Sequence, residues 1–294
     1  RSVPTPTPLP RQLREKLDLQ RQLLVEINSA LGMYGREDVD RREIDKTLRR
    51  LIPTVEALTR DLQNAGVEVP NPILPPTPPV QAEVEVFDIG MVTEDKVQIQ
   101  GTYYSPGVVG APGILLLHML GGQRSDWEEL ARALQAQGYG VLAIDLRGHG
   151  QSGGERDYTR MIRDAKIGVT YLRAREEIDD GRLVIMGASI GANIALNYAA
   201  RDPAIAAAVL LSPGLDYHGV TTEEAVQEYG DRPLLIVASE EDAYAAESAR
   251  RLATLAPSVE LIMLQGQGHG TGMLGRENGL EERLFGWLAE VTAK

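Results

Sequence analysis

The 294-residue chain contains no cysteine. That absence excludes disulfide scaffolds, thiolate zinc sites, iron–sulfur clusters, CxxC redox chemistry and cysteine nucleophiles together. Histidine is sparse as well, so a catalytic imidazole must be His118, His149, His218 or His269. Cations are outnumbered, 30 Lys and Arg against 42 Asp and Glu, for a net charge of −12. Such a surface repels phosphate backbones, and no nucleic-acid partner is expected. No run approaches the roughly 20 apolar residues that span a bilayer, so no transmembrane segment is expected either. The longest apolar stretches, such as Ile114 to Leu117, have the length of strands.

Proline is thin over most of the chain but concentrated in two segments: four of the 17 lie in residues 1–10 and six in residues 70–79. These read as semi-rigid spacers, a Pro/Thr-rich one over 1–10 and a linker over 67–82. Between them, Leu13, Leu17, Gln20, Leu24, Ile27 and Leu31 recur at spacings of four and three, as do Ile44, Leu48, Leu51, Val55, Leu58 and Leu62. Two helical stripes around a turn near Gly32 to Asp40 predict an antiparallel hairpin over 11–66. Pro53 is expected to kink or split the second helix. The hairpin suits packing on the larger domain, or a homodimer contact between two copies.

Beyond the linker the pattern changes. Residues 84–89 and 97–104 alternate like an antiparallel pair. Six continuously apolar runs follow, at 113–118, 139–146, 183–189, 207–213, 233–239 and 259–265. Such runs suit strands of a sheet covered on both faces, so these six are expected to be parallel. Helical patterns fill the gaps, at 157–178, 189–201, 243–256 and 277–290. Another is expected to end at Gly138, with Ser125 and Glu128 at capping-box spacing at its start. The whole predicts an eight-stranded, mostly parallel α/β domain with helices on both faces over 83–294.

Gly187-Ala188-Ser189-Ile190-Gly191 stands where the fifth strand runs into a helix. G-x-S-x-G in that context forces a sharp turn that lifts a serine hydroxyl above the sheet, and side chains at the flanking glycines would collide. A serine needs a base held by an acid, and on this architecture the order is Ser, acid, His. His118, His149 and His218 come too early, which leaves His269 in a glycine-rich loop after the last strand. The acid is expected just past the seventh strand, among Glu240, Glu241 and Asp242. Asp242 is preferred as the fourth residue of a G-x-x-D-like turn, with Ser239 in place of the Gly; Glu241 is the alternative, and three adjacent carboxylates also fit a solvated turn.

A tetrahedral oxyanion needs donors too. The Ile190 N–H, at a helix N-terminus, supplies one. The second is expected from the loop His118 to Gly122, from Leu120 with Met119 as runner-up, while His118 braces the loop.

With HMLGG at 118–122, DLRGHGQSGG at 145–154, GASIG at 187–191, SEED at 239–242 and GHG at 268–270, residues 83–294 resemble the α/β-hydrolase superfamily, in particular its dienelactone-hydrolase and esterase relatives. The resemblance implies a Ser189–His269–Asp242 triad, an acyl-enzyme intermediate, water as second substrate and no cofactor. Two positions depart from it: Met119 replaces the usual Gly, and Ser239 the turn Gly. Gly148 to Gly153 also matches G-x-G-x-x-G, but on the fourth strand and without an acidic residue at a strand end about 20 positions on, so the dinucleotide reading fails. There Asp145 and Arg147 are expected to organise the loop.

About twenty residues separate the sixth and seventh strands, too few for a large helical cap, so an open site is expected. Trp127, Tyr158, Tyr217, Tyr244 and Met273 are candidates for its pocket. The expected substrate is a carboxylic ester of small or medium size. Thioester, acyl-transfer and peptide chemistry are the alternatives on the same fold, as is a non-catalytic binding protein. For compartment, the Pro/Thr-rich start fits an exported or surface-tethered bacterial-type protein freed of its leader; otherwise the chain is cytoplasmic.

Overall fold

The computed structural model describes residues 9–33, 41–72, 74, 84–256, 258–276 and 278–293. Most of the Pro/Thr segment, most of the turn after Gly32 and much of the proline linker lie outside them. The chain divides into two compact units between Gln81 and Ala82.

The first unit is a pair of helices, α1 (Arg11–Gly32) and α2 (Arg41–Asn64). Their apolar stripes meet: Ile27 and Ala30 of α1 cluster with Ile44, Leu48, Leu51, Ile52 and Val55 of α2. Early residues of α1 meet late residues of α2, so the pair is antiparallel. Lys16 Nζ lies 2.5 Å from Asp61 Oδ2, and Gln20, on the apolar stripe, is buried because its amide donates to Thr59 Oγ1 at 2.6 Å. Pro53 does not split α2, which runs unbroken through it. The ring removes one backbone donor, while Leu51, Ile52 and Val55 on either side are held in the apolar interface.

The second unit carries the sheet. Its strands are β1 (Val86–Val92), β2 (Gln98–Tyr104), β3 (Ala111–Leu117), β4 (Gly140–Ile144), β5 (Ile178–Ala188), β6 (Ile205–Leu211), β9 (Leu234–Ser239) and β10 (Val259–Leu264). A separate two-stranded hairpin, β7 (Asp216–Tyr217) with β8 (Val220–Thr221), follows β6. Helices α3 (Glu128–Ala136), α4 (Ile162–Arg173), α5 (Ile190–Arg201), α6 (Glu223–Tyr229), α7 (Ala243–Leu255) and α8 (Leu280–Val291) alternate with the strands. The eight-stranded order is β1-β2-β4-β3-β5-β6-β9-β10. The six apolar strands from β3 to β10 pair in parallel, and β1 and β2 form the antiparallel edge.

The apolar runs are continuous because both faces of the sheet are covered. On β3, Leu115 and Leu117 join one core cluster, while Ile114 and Leu116 join the cluster on the other face. That is the period-two alternation of a strand with no solvent face. Burying each such side chain contributes about 1.5–3 kcal/mol.

Local expectations shift at the starts of β5 and α3. β5 begins five residues before the apolar run, at Ile178, which pairs with Ala111. Ser125 is not a helix cap. It sits inside a 3-10 turn over Arg124–Trp127, whose capping box joins Gln123 and Asp126, and α3 starts only at Glu128. The Asp126 carboxylate accepts the Gln123 N–H at 3.0 Å, so the box forms two residues earlier than the Ser-x-x-Glu spacing suggests.

Between β3 and β5 the winding reverses, since β4 lies on one side of β3 and β5 on the other. Crevices at the carboxyl ends of strands flanking such a reversal are where open α/β sheets bind ligands. The loops after β3, β5, β6, β9 and β10 all leave from that edge.

Candidate active site

Ser189 follows β5 with φ 54° and ψ −120° and is the residue preceding α5. A side-chain-bearing residue there costs of order 1–3 kcal/mol of backbone strain, which the surroundings must hold. Its N–H donates to the Leu211 carbonyl of β6 at 2.8 Å. A Cβ on Gly187 would run into the Gly191 carbonyl, and one on Gly191 into the Leu117 carbonyl. Both glycines are therefore dictated by close backbone approach. Ile190 is the first residue of α5, and its N–H belongs to the helix-end donors that no internal carbonyl satisfies.

His269 lies beyond β10 in a segment where Gly266, Gly268 and Gly270 have φ of 63°, 86° and 56°. Its Nδ1 is 2.5 Å from Asp242 Oδ2. Asp242 occupies the N-cap position of α7, yet its side chain caps nothing and turns to the imidazole. The neighbouring carboxylates point elsewhere. Glu240 pairs with Arg250, and Glu241 accepts from the Gly266 N–H at 2.5 Å and the Ser239 hydroxyl at 2.9 Å. Those two donors hold the Glu241 carboxyl below its ordinary pKa. Among the described residues no hydrogen bond joins Ser189 to His269.

The loop after β3 is braced by His118. The Leu146 N–H donates to its Nε2 at 3.0 Å, so the ring proton is on Nδ1 and donates to the Met119 carbonyl at 2.7 Å. Burial lowers the pKa of His118 and keeps the ring neutral. Leu120 is exposed, and Met119 packs its sulfur against Gly270 and the Thr271 hydroxyl. Behind this loop, buried Asp145 accepts from the N–H groups of Arg124 at 2.7 Å and Gln151 at 2.8 Å. Arg147 lies between Asp164, at 2.7 Å, and Asp95, at 2.8 Å. Asp145 therefore ties the glycine-rich 148–153 loop to Arg124, while Arg147 joins the start of that loop to α4 and to the turn bearing Asp95.

The aromatic candidates separate. Tyr217 stands over the site: its ring is edge-on to His269 at 6.5 Å and to Tyr244 at 5.5 Å. Its hydroxyl is near the Ser189 hydroxyl and 3.5 Å from the Ser212 carbonyl. Burial, reinforced by the charge of Asp242, pushes its pKa up to about 12, so it is a neutral donor. Tyr244 is half-exposed and its hydroxyl is engaged with the Asp216 backbone. Tyr158 stacks on His218 at 4.2 Å and lines a separate cavity of about 160 Å³ with Ile162, Ile194 and Val220. Trp127 and Met273 are not pocket residues: they are 1% and 0% exposed, inside the core cluster on one face of the sheet. Both come from loops near the site, but short 3-10 turns direct their side chains into the core.

Sequence reasoning did not foresee the β7–β8 hairpin that delivers Tyr217. Its signal is His218-Gly219, both at positive φ (53° and 83°), the requirement of a two-residue type I′ turn. Among the described residues, no cluster of His, Asp and Glu is arranged to hold a metal ion, and no helix is long and apolar enough to cross a membrane.

A family model described as "Serine aminopeptidase, S33" matches residues 112–228. An esterase of Pyrococcus furiosus, 22% identical, has a similar fold with a TM-score of 0.61 over 71% of this chain and 92% of that one. The fold of the second unit is that of the α/β hydrolases, and the family-model match falls within it. An uncharacterized protein of Mycobacterium tuberculosis is 33% identical over 127 residues, 43% of this chain and 45% of that protein. A quorum-quenching protein, AidA of Acinetobacter baumannii, is 34% identical over 113 residues, 37% of each. The chain thus spans less than half the length of the curated relatives it first matches.

Proposed function

We propose that the chain is a serine hydrolase that cleaves carboxylic esters of small or medium size, with its chemistry in residues 83–294. The observation that carries the reading is the His269–Asp242 contact beside a serine held in a left-handed elbow. Asp242 accepts a hydrogen bond from the Nδ1–H, which fixes the tautomer and leaves the Nε2 lone pair free as base. Ser189 Oγ attacks the ester carbonyl carbon as its proton passes to Nε2. The new oxyanion takes the Ile190 N–H and one from Leu120 or Met119. Collapse breaks the carbon–oxygen bond, and the leaving alkoxide takes the proton from the imidazolium. Water then repeats the sequence on the acyl-enzyme, returning Ser189 and releasing the acid.

Before attack, the Ser189 hydroxyl must turn from the vicinity of Tyr217 toward His269. Loose contacts of this kind tighten when substrate binds. A second reading, amide cleavage by the same three residues, is favoured by the description of the matching family model.

The test is a panel of p-nitrophenyl esters of varied acyl length alongside aminoacyl p-nitroanilides, with fluorophosphonate labelling of wild type and Ser189→Ala. Ester turnover and labelling that both vanish in the variant support the reading. Labelling that persists in Ser189→Ala would overturn it, and turnover confined to the anilides would select the amide reading.

A further inference from the structure

The segment that carries His269 is tied at both ends to residues outside the triad. At its start, Glu241 Oε2 accepts from the Gly266 N–H at 2.5 Å and from the Ser239 hydroxyl at 2.9 Å. Ser239 Oγ in turn accepts from the Gln267 N–H at 3.1 Å. At its end, the Gly270 N–H donates to Ser212 Oγ at 2.9 Å. Ser212 and Ser239 are fully buried, at the ends of adjacent parallel strands β6 and β9. Ser212 itself has a φ of 52°, a left-handed conformation uncommon for a residue with a side chain.

Between these ties the chain has little stiffness of its own. Three of the five residues from Gly266 to Gly270 are glycines at positive φ. Glycine has the largest backbone freedom to lose, so the ordering must come from contacts. A misplacement of about 1 Å can cost roughly 100-fold in rate, and an imidazole on such a segment is exposed to that loss.

We propose that Glu241, through Ser239 and with Ser212 at the far end, is a positioning residue that clasps segment 265–270 and sets His269 against Asp242 and Ser189. The proposal rests on the triad reading above. It separates the adjacent carboxylates: Asp242 orients the imidazole ring, and Glu241 orients the backbone bearing it. It also gives Ser239, which stands where the turn glycine of the resembling enzymes is found, a task that glycine cannot perform.

The experiment compares Glu241→Ala and Glu241→Gln in the full chain, reading kcat and KM on a p-nitrophenyl ester and amide hydrogen exchange over residues 264–272. Alanine leaves the Gly266 N–H without its acceptor. We expect kcat to fall about 10- to 100-fold with KM nearly unchanged. Exchange of the segment accelerates at least tenfold while β5 and α5 keep their protection. Glutamine retains an acceptor oxygen without the charge and restores kcat to within threefold, together with the protection.

Wild-type kcat and protection in Glu241→Ala overturn the proposal. So does a Gln variant as impaired as the Ala variant, since charge would then be the active quantity. Lost turnover with intact protection overturns it as well. Because exchange is read without turnover, an inactive wild type would remove the hydrolase reading and still leave the clasp measured.

Discussion

Asp242 and His269 meet across the ends of two neighbouring parallel strands, β9 and β10, with Oδ2 and Nδ1 2.5 Å apart. Asp242 reaches the imidazole because it stands at the N-cap position of α7, one turn beyond Ser239, whose carbonyl accepts its N–H at 3.1 Å. That turn leaves the carboxylate beside the loop from β10.

Asp242→Asn tests this contact. An amide NH₂ donates to Nδ1 and moves the ring proton to Nε2, so the base is lost while the shape is kept. In a functioning triad this costs kcat roughly 10⁴-fold. Steady-state ester hydrolysis and the rate of fluorophosphonate labelling check it together. Unchanged rates in Asp242→Asn would remove Asp242 from the triad.

Tyr217 carries a ring beside His269 and a hydroxyl beside Ser189, and two substitutions part their effects. Tyr217→Phe removes one hydrogen-bonding group with a net worth of roughly 0.5–1.5 kcal/mol, and kcat/KM is expected to fall about 2- to 12-fold. Tyr217→Ala also removes the wall of the site and is expected to raise KM further. Kinetics across the ester panel decide the matter. A Tyr217→Ala enzyme with wild-type KM for every ester would show that the ring does not meet substrate.

The Asp95–Arg147–Asp164 cluster supplies a pH dependence of stability. Asp95 is held below the ordinary carboxylate range, first by the hydrogen bond from Arg147 and then by that from Thr93. A carboxyl with a depressed folded pKa stabilises fully above its unfolded value, near 3.8, and loses that stabilisation as pH falls below it. Asp95→Asn is expected to lower stability at pH 7 by roughly 1.5–3 kcal/mol, the usual worth of a hydrogen bond to a charged group. Thermal unfolding at pH 7, 5 and 3.5 should show the gap in Tm constant between the first two and narrower at the third. A gap that stays the same at pH 3.5 would exclude the charge of Asp95 as its source.

Some features were written in local sequence because their cause is local. The six parallel strands are legible as apolar runs, since a strand covered on both faces has no polar alternation to hide it. The elbow is legible because Gly187 and Gly191 are required by backbone collisions within and beside the same short motif. The boundaries of α3 were misread because a Gln-x-x-Asp box outcompeted the Ser-x-x-Glu spacing next to it. Trp127 and Met273 were misread for a different reason: chain position near a loop does not tell which way a side chain turns, and both turn into the core.

The amino-acid order alone established the absence of cysteine, the parallel sheet and the serine at its strand-to-helix turn, and it singled out His269 as the one histidine far enough along the chain for the proposed triad. These follow from composition, periodicity and short-range sterics. It was tertiary packing that distributed the Glu240, Glu241 and Asp242 carboxylates among Arg250, the Gly266 backbone and His269, and that brought Tyr217 to Ser189. Partners contributed by separate strands come together only when the sheet has formed, and no spacing within one segment encodes which of three neighbouring side chains will face them.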